Sequence, residues 1–318
     1  MRVWGEKVSD SPEPTEPVGD PLSDLLRRLQ FSAAVFFSGE YCGRWAVDTS
    51  GSRQVPFHLV AEGEGWLHGE EGEPERLLAG ELVLFPDDRS HLLSASSAPP
   101  APTEINQGPP SVLEGPTTRL VCGYFQFDRR AAAPLLASLP GTMVLRVTDA
   151  ASPSARQLAH LWMREAAQTQ LGSELAVDRL AELVFVEMLR SEMAAGRLAG
   201  VLGALADPRL GPVLARVHRC PADALTVPAL AELANMSESA FSLRFREQVG
   251  MAPGQYVKHW RMQTASELLL VPGEAMADVA ARVGYESEAA FRKAFKAHFG
   301  VSPGRWRRQG PEHDYTAL

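Results

Sequence analysis

Arg292, Lys293 and Lys296 crowd into five residues beside two phenylalanines, Phe291 and Phe295, spaced i, i+4. On a helix the phenylalanines share an inward face and the cations look out. A guanidinium or ammonium held that way can donate to guanine O6 and N7, or to phosphate oxygens. Fifty residues earlier the anchor recurs as Phe241 and Phe245, with Ser239, Ser242, Leu243 and Arg246 facing outward and Arg244 beside them. By the same offset, Ala289 joins Arg292, Lys293 and Lys296 on the second outward face. Arg292 and Lys293 have the reach for base edges, whereas Arg246 and Lys296 suit phosphates.

A second set of residues offers other chemistry. His58, His91 and Cys122 could converge as a zinc-type trio, since a metal needs about four ligands or three with an open position. The same histidines equally suit hydrogen-bonded interior positions. A broader reading is a small-molecule pocket lined by His58, Trp66, His91 and Tyr124, with Phe125. No nucleophile–base pair or paired-carboxylate signature argues for an enzyme. Cys42, Cys122 and Cys220 are odd in number, far apart and free of any CxxC pair. That pattern fits a reducing cytoplasm rather than a disulfide framework.

Charge is divided along the chain. The net is −8, yet residues 208–308 carry 14 Lys/Arg against 9 Asp/Glu, while residues 1–207 carry 17 against 28. A basic module joined to an acidic one suits a nucleic-acid reader with a separate control unit. Residues 1–19 are rich in acids, Pro and Gly and read as a mobile tail, not a signal peptide. No apolar run is long enough to span a bilayer.

The elements that must position the cations come from an internal repeat. Across 231–254 and 281–304, nine of 24 positions are identical, including Ala231/Ala281, Ser237/Ser287, Phe241/Phe291, Phe245/Phe295, Gly250/Gly300 and Pro253/Pro303. Leu233/Val283 adds a conservative pair. Each copy reads as a short apolar helix, a turn at Asn235-Met236 or Gly284-Tyr285, a serine N-cap and a second helix ending at glycine. The proline then opens a further helix, where its missing N–H costs nothing. Two helices crossed through a tight turn, the second with a basic outer face, form the helix-turn-helix pattern. Residues 253–270 read as one connecting helix of about 27 Å. Such a rod suits two recognition helices in successive major grooves, one DNA turn of ~34 Å apart.

Residues from about 209 to 308 resemble the DNA-binding domain of the AraC/XylS family. The resemblance rests on Asp278-Val279-Ala280-Ala281-Arg282-Val283-Gly284-Tyr285, Phe291-Arg292-Lys293-Ala294-Phe295-Lys296 and Gly300-Val301-Ser302-Pro303. It implies base-edge readers at Ser239, Ser242 and Leu243 and at Ala289, Arg292 and Lys293. Leu243 departs from the pattern, because many relatives carry a long polar or basic reader there. A contact to a thymine methyl or reading by shape are the alternatives, with Arg244 supplying charge. The implied partners are double-stranded promoter DNA and RNA polymerase.

From Leu22 to about Phe127 the chain shows short β-type runs between Gly/Pro turns: 34–37, 57–60, 66–68, 81–85, 91–94 and 119–127. Residues 95–116 hold six prolines and read as a loop. Gly80–His91, with a turn at Pro86, resembles the second motif of the cupin superfamily. Phe57–Gly63 resembles the start of the first motif, with His58 and Glu62. Asp88 replaces the usual turn glycine, and no His-x-His is present. The resemblance implies a sensor for a small-molecule or divalent-metal effector, zinc being the metal that suits the donors. Residues 155–170 and 173–195 read as helices. The second is apolar on more than one face, and relatives dimerise through this region, which implies a homodimer.

The chain therefore reads as an α+β protein of two domains: a cupin-like antiparallel β-barrel with flanking helices, then an all-α double helix-turn-helix domain. The expected units are a disordered tail 1–19, a sensor 20–150, a helical linker and dimerisation region 151–206, a DNA-binding domain 207–308 and a tail 309–318. A cytoplasmic, sequence-specific transcription regulator is the reading. A metal-dependent cupin oxygenase or isomerase with a helical appendage is the alternative.

Overall fold

The computed structural model describes residues 20–309, apart from 70–71, 109–115, 128, 137, 147–152 and 169. The tail expected at 1–19 and all but the first residue of that expected at 309–318 lie outside the described residues; Gln309 ends the last helix. The expected barrel takes the form of two facing antiparallel sheets. Among the described residues nine strands build them: β1 (Ser32–Cys42), β2 (Ala46–Val47), β3 (Val55–Glu62), β4 (Glu64–His68), β5 (Glu75–Leu78), β6 (Leu82–Leu84), β7 (Leu92–Ser94), β8 (Thr117–Gln126) and β9 (Met143–Leu145). The larger sheet runs β1-β8-β3-β6-β9 and the smaller β2-β7-β4-β5.

Strand β3 is buried along nearly its whole length, because each face meets a different partner. Side chains alternate across a strand. Phe57, Leu59 and Ala61 join a helical layer, while Val60 joins the core between the sheets with Trp45, Leu67, Val83, Phe85, Leu93 and Leu120. Strands β2, β5 and β9 escape sequence reading because two to four residues are too few to show a period of two.

Around the larger sheet lie α1 (Pro21–Arg28), α2 (Arg129–Leu136), α3 (Pro153–Ala166), α4 (Ser173–Ala194) and α5 (Gly200–Ala206). Helix α4 explains its own width of apolar surface. Val177, Ala181, Val184, Phe185, Met188 and Leu189 are buried, while Leu175 and Leu183 are exposed. Two of its carboxylates also close the edge of β1. Asp178 Oδ1 accepts the Val35 N–H at 2.8 Å and Glu182 Oε1 accepts that of Ala33 at 3.3 Å. An edge strand's unpaired N–H groups otherwise invite another chain.

The C-terminal third is helical: α6 (Leu210–Arg219), α7 (Val227–Leu233), α8 (Glu238–Val249), α9 (Pro253–Leu268), α10 (Met276–Arg282), α11 (Glu288–Phe299) and α12 (Pro303–Gln309). The caps expected from the repeat are in place. Ser237 and Ser287 accept the N–H groups of Ala240 and Ala290, and Gly250 and Gly300 are left-handed. The repeat itself needs one correction. The left-handed turn residue is Asn235 in the first unit but Gly284 in the second, so the second turn is one residue longer. Buried Leu230, Ala231 and Ala234 correspond to Val279, Ala280 and Val283, an offset of 49. The matches Ala231/Ala281 and Leu233/Val283 are thus not structural, since Ala281 is exposed and Leu233 is 41% exposed. Among the described residues no helix is long and apolar enough to cross a membrane.

Candidate nucleic-acid interface and the buried histidine cluster

Each unit hangs its second helix on a pair of phenylalanines. Phe241 and Phe245 are buried with ring centroids 5.6 Å apart, and Phe245 meets Tyr256 of α9 edge-on. Phe291 and Phe295 are buried at 5.7 Å, and Phe295 packs against Phe299 and Trp306. This anchoring turns the opposite faces to solvent. Ser239, Leu243 and Arg246 are exposed on α8, Leu243 by 60%, and Ser242 is half-buried. On α11, Ala289, Arg292, Lys293 and Lys296 are all exposed. Arg292 donates to Glu288 Oε1 at 2.6 Å, one helical turn back. An exposed pair of this kind is worth about 0.3–0.5 kcal/mol and yields readily to a phosphate or base.

Arg244 lies elsewhere. Its guanidinium is half-buried and donates to Asp207 Oδ2 at 2.5 Å, while Gln248 donates to the same oxygen at 3.3 Å. Asp207 Oδ1 in turn accepts the N–H groups of Arg209 and Leu210 at 2.8 and 3.0 Å, capping α6. Burial alone would raise the Asp207 carboxyl. The pairing with Arg244 and the N–H groups of Leu210 and Arg209 outweigh it and hold the group at about 2. Arg244 therefore fastens α8 to the head of α6. Sequence reading missed Asp207, whose partner Arg244 lies 37 residues away.

Between the sheets the structure brings His58, His91 and Cys122 together and adds Thr49, which sequence reading missed. His58 Nδ1 lies 3.0 Å from Cys122 Sγ, and its Nε2 lies 3.2 Å from His91 Nε2. Thr49 Oγ1 sits 3.0 and 2.9 Å from the two Nε2 atoms. His91 Nδ1 donates to the Arg89 carbonyl at 2.8 Å, which leaves its Nε2 as an acceptor. The His91 ring stacks on Phe85 at 3.8 Å. Burial, and then His91, push the His58 imidazole far below its ordinary range, and burial lowers His91 too. Burial pushes the Cys122 thiol up, so it keeps its proton and donates to His58 Nδ1.

These residues do not fit the zinc trio. Cys122 and His91 face opposite nitrogens of one imidazole, so the three donors cannot converge on a single ion. A zinc ligand is moreover a thiolate, which burial here opposes. Among the described residues no group of three His, Cys, Asp or Glu is arranged to hold a metal. Glu62 of the motif turns outward to Arg119, 3.6 Å away. Asp88 adopts the left-handed conformation the missing glycine would favour, φ 55°. It accepts the Arg53 N–H at 2.5 Å and the Ser52 hydroxyl at 3.2 Å. Trp66 occupies the face of β4 opposite Leu67 and so does not line the histidine cluster. Tyr124, half-buried, stacks on Phe36 at 4.8 Å.

Two helix-turn-helix units on one connecting helix, joined to an antiparallel β-sandwich, define a DNA-binding transcription regulator. Residues 20–194 match a family model described as cupin, and residues 230–309 match one described as helix-turn-helix domain. The chain is 31% identical over 305 residues to the HTH-type transcriptional regulator MtrA of Neisseria gonorrhoeae, across 92% of this chain and 99% of that one. It is 31% identical over 299 residues to a Streptomyces lividans protein named as an AraC-like transcription regulator, across 91% and 98%. Among solved structures, the DNA-binding domain of AdpA, a global transcriptional factor in complex with a target DNA, is 30% identical over 35% of this chain and 99% of that one, with a TM-score of 0.31. The chain belongs to the AraC-like HTH-type transcriptional regulators that carry an N-terminal cupin domain.

Proposed function

We propose that this regulator reads one DNA site through two successive major grooves, α8 entering one and α11 the next. The observation that carries the reading is the pair of outward faces, Ser239, Ser242, Leu243 and Arg246 on one helix and Ala289, Arg292, Lys293 and Lys296 on the other. Both are anchored by buried phenylalanines to the ends of a single helix, α9. Arg292 and Lys293 address base edges, Arg246 and Lys296 address phosphates, and Leu243 contacts a thymine methyl. The cupin half is the control unit, responding to a small molecule. Selection of bound duplexes from a random pool, with and without candidate metabolites, tests both halves of the reading. Arg292→Ala is expected to erase preference at one base pair, at a cost of about 1–3 kcal/mol in discrimination. An unchanged base preference in that variant removes the assignment.

We also propose that two copies associate through the outer face of α4, where Leu175 and Leu183 lie exposed. Leu183→Glu should then shift sedimentation from dimer to monomer. A wild-type chain that sediments as a monomer at the same concentration would overturn this.

A further inference from the structure

The apolar packing of this chain divides in an unexpected place. One core runs from the larger sheet through α1 and α3–α6 into the first helix-turn-helix unit, taking in Leu230, Ala231, Phe241, Phe245, Tyr256, Val257 and Trp260. The second unit has a core of its own, built on Met262, Ala265, Leu269, Val279, Val283, Phe291, Phe295 and Trp306. The seam between the two falls in the middle of α9, between Trp260 and Met262. The first recognition helix is thus packed as part of the sensor body, and the second is carried beyond it on the far half of α9.

Arg261, at the seam itself, donates to the Pro221 and Asp223 carbonyls on one side and to the Gly284 carbonyl in the second unit's turn on the other, and the sensor adds a brace of its own. Arg28, the last residue of α1, lays its guanidinium over the Trp260 indole at 4.3 Å from the ring centroid. It donates to the Thr264 hydroxyl and lies 4.0 Å from Glu267 Oε1. Trp260 belongs to the first core, while Thr264 and Glu267 follow on the half of α9 that carries the second. The Trp260 ring is itself stacked at 3.6 Å on His218, and its Nε1 donates to the His218 carbonyl at 3.2 Å. The Arg28 side chain is only 17% exposed, and α1 is fixed behind it by Leu22, Leu25, Leu26 and Leu29 in the shared core. A planar guanidinium held by a ring, a hydroxyl and a carboxylate has little freedom left.

We infer that Arg28 is a positioning residue for DNA reading: it braces α9 against the sensor and so sets where α11 stands relative to α8. This rests on the two-groove reading proposed above. Arg28 faces the connecting helix rather than DNA, so it acts through geometry. Its loss leaves both recognition faces intact and loosens the register between them. A change in how α1 seats on the sensor would be passed to the far half of α9 by Arg28.

The test measures the register directly. Spin labels on Ser239→Cys and Ala289→Cys, in a full-length Cys42→Ser, Cys220→Ser background, report the distance between the two recognition helices without any DNA. Arg28→Ala should broaden that distance distribution. Arg28→Lys, which keeps a cation for Trp260 and Glu267, should restore it in part, and Arg27→Ala on the exposed side of α1 should leave it narrow. Pool-selected duplexes supply the second measurement. Wild-type affinity should fall sharply when one base pair is inserted between the two contacted segments, and Arg28→Ala should reduce that penalty about threefold to tenfold. If wild-type shows no penalty, the two-groove reading fails, whatever Arg28 does. If wild-type shows the penalty and Arg28→Ala keeps both it and the narrow distribution, Arg28 has no positioning role. Thr264→Val offers a milder variant should Arg28→Ala fold poorly.

Discussion

Removing the Asp207 carboxylate should loosen the first recognition helix and cost the protein a measurable part of its stability. The group is 7% exposed and accepts four hydrogen bonds, from Arg244, Gln248 and the N–H groups of Arg209 and Leu210. A carboxyl held at about 2 instead of its ordinary 3.8 corresponds to about 2–3 kcal/mol. Because the folded value lies below the unfolded one, this stability is present above pH 3.8 and is lost as pH falls towards 2. Asp207→Ala also removes a helix cap, worth about 1 kcal/mol, and leaves the half-buried Arg244 unpaired. The expected total is about 2–4 kcal/mol, read from urea unfolding at pH 7. Arg244→Ala should cost less, about 1–2 kcal/mol, since Asp207 keeps its N–H partners. The double variant should show a coupling of about 1–2 kcal/mol. Arg244→Ala should leave the salt dependence of DNA binding unchanged, whereas Arg246→Ala should reduce its slope by about 1. A reduced slope for Arg244→Ala, with unchanged stability and no coupling to Asp207, would refute the structural role and return Arg244 to the DNA.

Acid should destabilise the fold well before the carboxylates titrate, because buried histidines fold neutral. His218 is held at about 3 by burial and then by Arg28, with its Nε2 hydrogen-bonded to the Tyr256 hydroxyl at 2.6 Å. The unfolded chain binds this proton near 6.5, so stability falls as pH drops from 6.5 towards 3, by about 2 kcal/mol at pH 5 from this residue alone. Urea titrations of His218→Leu at pH 7 and pH 5 should differ by that much less than wild-type titrations; an equal difference would place the acid sensitivity elsewhere.

The helical third was legible because its punctuation is local. Serine caps, terminal glycines, opening prolines and paired phenylalanines each fix a conformation within a few residues. The one-residue difference between the two turns was hidden by the chance identity of Ala231 and Ala281. The histidines and Cys122 were picked out by residue type, yet their geometry depends on which nitrogen faces which neighbour. That follows from strand pairing of His58 with Cys122 across β3 and β8. Thr49 gave no signal, since it sits in a polar loop and acquires its role only where the chain folds over His58 and His91. Trp66 was placed in the pocket because the three residues read as strand there, 66–68, do not fix a phase. Arg28 meets Thr264 across 236 residues, a separation that local pattern cannot reveal.

The two readers stand in tandem on one polypeptide and are unlike, Leu243 in the first where Lys293 stands in the second. A symmetric dimer of single readers sees a palindrome and has no front or back. This arrangement, on the proposed reading, gives the bound protein a compass bearing: turning the duplex end for end swaps an apolar fingertip for a cationic one. The cupin half is then held to a chosen flank of the site, upstream or downstream, by the sequence alone.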